Sequence, residues 1–332
     1  MKKWWLIFLF FGIFLLTGCN NNEEKILNVL NWSSYIPDSV ISDFEKEYGI
    51  KVNYMTYSSN EELLAKVNSS KKGTYDLIFP SDYMISLMIE KELIQKIDKS
   101  KIINLKNIDP VFLNKEYDSN NDYSLPFLST IVVIAVNRDN VSDQISGYND
   151  LLDDKYKRNI VLVDDQRIVI GMSLLANHYD MNTIDDYELE DAKKWLLKIK
   201  NNIKAYDSDS PKSFFIADEV DIGIMWSAEA VLAKQWNPNV EIIYPKEGYA
   251  ISTDNYAIVS GAKNIDNAYL FIDYILRPEV QKIITEEYPY ISSCSGINTD
   301  IIDKEKIFSN SFYVKNIGDK IRTYDKVWAD IK

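Results

Sequence analysis

The feature that most restricts the fold is a recurring order of short apolar runs and spans with helical spacing. Leu27 to Leu30 is the first apolar run. Asp38-Ser39 then follow Pro37 and open a helix whose positions Val40, Ile41, Phe44 and Tyr48 keep helical spacing until Gly49 ends it. Lys51 to Tyr57 alternates as a strand, Glu61 to Ser69 reads as a helix, and Asp76 to Phe79 is a second buried run closed by Pro80. The order βαβαβ predicts a parallel sheet with right-handed crossovers. The same order returns later. Asn159 to Val163 reads as a strand before a helical Val169 to His178, Asp186 to Lys200 as an amphipathic helix, and Ile222 to Met225 as a strand before a helical Ala228 to Gln235. A second α/β domain is implied, and the apolar runs Ile131 to Val136 and Tyr256 to Val259 read as the two strands that cross between domains. The hinge is therefore expected about Val136-Asn137 and near Asp254.

In open α/β sheets, ligands bind beyond the carboxyl ends of the parallel strands. Five segments fall there: Asn31-Trp32-Ser33-Ser34-Tyr35, Pro80-Ser81-Asp82-Tyr83, Asp164-Asp165, Trp226-Ser227-Ala228-Glu229 and Ser252-Thr253-Asp254-Asn255. Aromatics, hydroxyls and carboxylates without a basic residue describe a pocket that stacks an aliphatic chain and pairs its ammonium groups. Each member also has a structural reading. Trp32 and Trp226 suit a core, Asp165 and Ser81 suit helix caps, and Glu229 in a first helical turn gains from the macrodipole. Asp254 beside an apolar crossover strand is expected to be buried, and a buried charge needs a partner.

Composition excludes several chemistries. One histidine, His178 at a helix end, and two cysteines leave no His/Cys metal cluster and no ordinary nucleophilic triad, and the 11 glycines form no phosphate-cradling loop. No metal or cofactor is expected. The formal net charge of -13 argues against nucleic acid and fits a cationic ligand.

These segments resemble the periplasmic spermidine/putrescine-binding proteins of polyamine ABC transporters. The resemblance also rests on Tyr75-Asp76-Leu77-Ile78-Phe79-Pro80-Ser81, Tyr244-Pro245-Lys246-Glu247-Gly248 and Leu276-Arg277-Pro278-Glu279-Val280, and runs from about Leu27 to Ser293. It implies a two-domain periplasmic-binding-protein fold of type II, each domain a mostly parallel sheet flanked by helices, with the ligand in the interdomain cleft. By position it implies Trp32, Ser33, Tyr35, Ser81, Tyr83, Asp165, Trp226, Asp254 and Tyr290 as ligand contacts. Glu229 falls where the putrescine-selective branch of the family has an acid. Three positions depart from the spermidine binder: Ile168 replaces an acid, Ser252 an aromatic and Val314 a glutamine. With Asp254 and Glu229 serving one ammonium and Asp165 the other, putrescine is expected to bind at least as tightly as spermidine. The implied partners are the polyamine and the permease subunits of the transporter, the protein is expected to be a monomer, and it is not expected to be an enzyme. A same-fold receptor for another small cation, such as an amino acid or a thiamine-like compound, is the competing class, and an enzyme using the cleft carboxylates a remoter one.

The N-terminus supplies an address. Met1-Lys2-Lys3 precedes 13 apolar residues, Trp4 to Leu16, too few to cross a bilayer of ~30 Å hydrocarbon, and Leu16-Thr17-Gly18-Cys19 has the pattern at which a lipoprotein is cleaved and acylated. Residues 1–18 are thus expected to be a leader, Cys19 the lipidation site facing the periplasm or cell exterior, and 19–25 a tether. Residues 26–135 with about 255–302 are expected to form the first lobe, and 136–254 with about 303–332 the second. Cys294 then has no partner, so stability must come from the core. Cys19→Ser is expected to abolish fatty-acid labelling and release the protein from membranes, because two acyl chains at ~0.8 kcal/mol per buried CH₂ hold what a polar tether does not. Unchanged labelling would overturn the anchor.

Overall fold

Helix ends fall where the sequence supplies the chemistry to stop them. The computed structural model describes residues 25–297 and 304–332, so the expected leader, Cys19 and most of the expected tether lie outside the described residues. Lys25, expected in the tether, is instead the first residue of strand β1 (Lys25–Trp32). Helix α1 (Asp38–Tyr48) ends at Gly49, which turns left-handed at φ 63° and returns its N–H to the Glu45 carbonyl at 2.9 Å. β2 (Ile50–Tyr57) follows, and α2 (Asn60–Ser69) starts on the Ser59 hydroxyl, which accepts from the Glu62 N–H. β2 and β3 (Leu77–Ile78) both pair parallel with β1, one on each side, which is the expected βαβαβ unit. α3 (Asp82–Glu90) and several single-turn helices lead into β4 (Leu125–Asn137), thirteen residues that are all buried.

The second half repeats the pattern. β5 (Ile160–Leu162) is followed by α4 (Gln166–Ala176), α5 (Asp186–Ile199), β6 (Ile203–Tyr206), α6 (Lys212–Ile216), β7 (Ile222–Trp226), α7 (Ser227–Trp236) and β8 (Val240–Ile243). β5 pairs parallel with both β6 and β7. α4 starts three residues before the expected Val169, because Asp165 caps it there, and His178 lies beyond its end in a left-handed turn at φ 64°. The chain returns through β9 (Tyr249–Ile258), then α8 (Ile265–Ile275), α9 (Pro278–Glu287), β10 (Ile291–Ser292), α10 (Lys304–Ser309), β11 (Ser311–Tyr313) and α11 (Ile321–Ile331). The main sheet order is β2-β1-β3-β9-β4-β7-β5-β6, with β8 and β10 added to β4 and β11 to β9.

β4 pairs with β9, β7 and β8 and changes partners part-way along its length. Leu125 to Ile131 of β4 pairs antiparallel with β9, whereas Val132 to Val136 pairs with β7 and Ile134 to Asn137 with β8. Val136-Asn137 therefore lies inside the second sheet, where Asn137 is bonded to Asp221 and paired with Val240, and β4 changes partners at Ile131-Val132. One buried cluster gathers Leu27, Phe44, Leu77, Phe127, Tyr256 and Phe271; another gathers Val132, Leu162, Val169, Trp195, Ile224 and Tyr324. β11 lies along Tyr249–Ile251, and Val314, Tyr324, Val327 and Ile331 join the second cluster.

Asp76 locks the first sheet. Its fully buried carboxylate accepts from the Asn28 N–H at 2.9 Å and side-chain amide at 3.0 Å, from the Lys263 N–H at 3.0 Å, and from the Asn264 N–H and side-chain amide at 2.9 Å each. It thereby joins β1, the strand-end before β3 and the start of α8. Asp76→Ala orphans these donors, and since a buried unpaired donor costs about 1 to 3 kcal/mol, the variant is expected to lose at least about 3 kcal/mol of stability, read as a lowered urea midpoint with an unchanged slope.

Candidate ligand-binding site

The carboxyl ends of β1 and β2 set an aromatic wall. β1 ends at Trp32 and β2 at Tyr57, with ring centroids 4.5 Å apart. Both polar tips are satisfied by one backbone group: the indole N–H donates to the Phe79 carbonyl at 3.0 Å and the Tyr57 hydroxyl to the same oxygen at 2.7 Å. The wall continues through Tyr35, 6.3 Å from Trp32, to Tyr290, 4.5 Å from Tyr35. Ser33 sits beside it on the exposed rim.

Asp254 lies at the foot of this wall, only 4% exposed, on β9 and bridged to Ser81. The Tyr35 hydroxyl donates to its Oδ2 at 2.5 Å and the Ser81 hydroxyl to its Oδ1 at 2.6 Å. Ser81 is itself clamped by Asn60, whose amide donates to the hydroxyl at 3.0 Å and whose oxygen accepts from the Ser81 N–H at 3.1 Å. The expected burial of Asp254 is thus met, but the hydrogen bonds it accepts come from hydroxyls, not cations. Burial pushes its carboxyl up to about 6, with Ser81 and Tyr35 pulling it back. Neighbouring Asp82, also buried, accepts from the Thr253 N–H at 2.9 Å and the Tyr83 N–H at 2.7 Å, and burial pushes it up to about 8. Burial therefore disfavours a second negative charge beside Asp254, against the two N–H donors that favour it.

Asp165 lies across the sheet at the start of α4. It caps that helix, accepting from the Arg167 N–H at 2.8 Å and the Ile168 N–H at 3.0 Å, and burial raises its carboxyl against these donors. Tyr83 packs against clusters on both sides of the crossing strands, and its hydroxyl donates to Glu61 at 3.1 Å. Burial first, then the Glu61 and Asp165 charges, push the Tyr83 hydroxyl up, so these two carboxylates share one neighbourhood. Trp226 closes β7 opposite Val132 and packs partly exposed on the second cluster.

The sequence expects Glu229 to share a ligand ammonium with Asp254; in the structure Lys212 donates to both its oxygens, at 2.9 and 3.0 Å. A residue outside the five strand ends brings a cation to one of them. Burial raises the Glu229 carboxyl and Lys212 opposes it. Of the departures, Ile168 and Val314 are buried in the second cluster, while Ser252 pairs with Thr130 and stays partly exposed. Tyr57, Asn60, Glu61 and Lys212 were not anticipated. The strand-end rule reaches Tyr57, which terminates a parallel strand; Asn60, Glu61 and Lys212 act through contacts that no local pattern encodes.

The sequence over residues 39–309 matches the family model for bacterial extracellular solute-binding protein. The chain is similar to the spermidine/putrescine-binding periplasmic protein of Salmonella typhimurium, at 35% identity over 100% of this chain and 99% of that protein. Its fold is similar to the spermidine/putrescine ABC transporter substrate-binding protein PotD of Streptococcus pneumoniae, with TM-score 0.81 and 30% identity over 92% of this chain and 98% of that one. It is also similar to the TpPotD lipoprotein of Treponema pallidum, with TM-score 0.86 and 26% identity over 93% and 99%. These neighbours share the type II periplasmic-binding-protein fold.

Asp254 makes stability depend on pH with a definite sign. Its folded pKa of about 6 exceeds its ordinary 3.8, so between those values the native state binds more protons than the unfolded state. Its contribution is present below the lower value and lost as pH rises through the upper one. The thermal midpoint of the ligand-free protein minus that of Asp254→Asn is expected to fall as pH is raised from about 4 to about 7. A difference that is flat or rises with pH would refute the assignment.

Proposed function

The chain belongs to the bacterial extracellular solute-binding proteins, and on that premise we propose that it captures a polyamine, putrescine or spermidine, outside the cytoplasmic membrane and delivers it to the permease of an ABC transporter. The observation that carries this reading is Asp254. A desolvated carboxylate held by hydroxyls and flanked by four aromatic rings is a socket for one ammonium, which supplies the missing charge while the rings take the attached methylenes. The Asp165 and Glu61 carboxylates around Tyr83 are a second station for the other end of the ligand. Trp32, Tyr35, Ser81, Tyr83, Tyr290 and Trp226 line the path between, and Ser33 its rim. The relatives named above, described as binding spermidine and putrescine, support the ligand class.

The protein is proposed to act as a monomeric receptor, not an enzyme, and to be held to the membrane by acylated Cys19, a reading supported by the lipoprotein neighbour. The lobes proposed from the sequence meet at β4 and β9, with the boundary in β4 moved to Ile131-Val132, where its sheet partners change. Rotation about these strands would close Asp165 and Trp226 over a ligand seated on Asp254.

Calorimetric titration with putrescine, cadaverine and spermidine tests the reading. Breaking a buried charge pair costs ~3 to 5 kcal/mol and losing one cation–π contact ~0.5 to 2 kcal/mol, so Asp254→Asn is expected to weaken binding at least about 100-fold and Trp32→Ala or Trp226→Ala far less. Scattering at saturation is expected to show a smaller radius of gyration. Tight binding by Asp254→Asn, or an amino acid as the ligand released from purified protein, would overturn the proposal.

A further inference from the structure

The polyamine reading leaves a lysine of the protein's own on one of the strand-end acids, and we infer that this residue, Lys212, is a specificity-determining residue, occupying at Glu229 the station that a third ligand ammonium would need. This inference rests on that reading. Lys212 approaches the Glu229 carboxylate through both oxygens and lies 3.4 Å from the Ser210 hydroxyl. Glu229 is only 9% exposed, so one paired cation replaces most of its hydration, and a second would meet the charge of the first. Lys212 is also fixed at its root, as the first residue of α6, directly after Pro211 at φ -60°.

The station is tied to the rest of the site through backbone neighbours. Ser227, which opens the helix carrying Glu229, shares a 3.1 Å hydrogen bond with the Thr130 hydroxyl and accepts from the Ile131 N–H at 3.3 Å. Thr130 pairs with Ser252, two residues before Asp254 on the same strand. The Tyr290 hydroxyl, at the end of the aromatic wall, lies in the field of both Asp254 and Glu229. Chemically, a lysine side chain is a primary ammonium on four methylenes, the same group that ends a polyamine. Lys212 thus acts as a tethered terminus already bound. Cancelling Glu229 leaves Asp254 at one end and, at the other, Asp165 and Glu61 with the Arg167 guanidinium in the field of Asp165. Three carboxylates against one guanidinium leave two negative charges, which is complete for a diamine. Diamine preference therefore comes from an occupied acid, whereas the sequence had assigned Glu229 to the diamine itself.

The test is calorimetric titration of wild type, Lys212→Gln and Glu229→Gln with putrescine and spermidine, each variant checked for a cooperative thermal transition. Lys212→Gln is expected to raise the spermidine-to-putrescine affinity ratio at least about tenfold, because Glu229 becomes free for the extra ammonium. Glu229→Gln leaves Lys212 uncompensated and is expected to lower that ratio at least about tenfold, and it carries the test if Lys212→Gln does not fold. Wild-type protein that binds neither amine overturns the polyamine reading and this inference with it. Wild-type binding with an unchanged ratio in the folded variants overturns this inference alone.

Discussion

The antiparallel pairing of β4 with β9, running from Leu125 opposite Tyr256 to Ile131 opposite Ile251, joins segments far apart in the chain, and the other strands are arranged around it. Both strands are buried along almost their whole length, and buried backbone groups must find partners. β3 and β11 satisfy β9, while β7, β8 and β10 satisfy β4. The excursion between the two strands is long, but loop-closure entropy grows only slowly with length, so an entire α/β unit fits between them. The same pairing delivers Asp254 to the edge where β1 and β3 end.

Two buried carboxylates near that edge illustrate how neighbours decide the state of a charge. Asp254 accepts from two hydroxyls, which offset only part of the loss of water, and its proton affinity rises. Glu229 is similarly buried but meets Lys212, which supplies the full opposite charge. The first is incomplete without a cation from outside, the second is already satisfied. A receptor for cations needs the first kind, and the second kind limits how many cations it takes. Burial raises the Asp82 carboxyl beside Asp254 and so works against a second charge in the socket.

Much of the fold was legible locally. The helix α1 was bounded correctly at both ends, because Pro37 and Gly49 act on their own turn of backbone. The βαβαβ order of the first sheet and the return of that order in the second followed from apolar spacing alone. The placement of Trp32, Ser81, Asp165 and Trp226 at strand or helix ends followed from the rule for parallel sheets, and Asp165 proved a cap as well as a candidate contact. The division of β4 between its partners was not legible locally. The partner switch in β4 sits at Ile131-Val132 because β7 and β8 claim the rest of the strand, and nothing in an unbroken apolar run marks that division.

The sequence by itself therefore determined the elements, their order, the aromatic and acidic chemistry of the strand ends and the family resemblance, since propensity, capping and periodicity act within a few residues. The tertiary structure alone decided which of those acids is available. Asp254 owes its state to Tyr35 and Ser81, 219 and 173 positions away, and Glu229 owes its state to a lysine 17 positions away on another helix. Electrostatic energy depends on distance and burial in space, and neither is written in the spacing of residues along the chain.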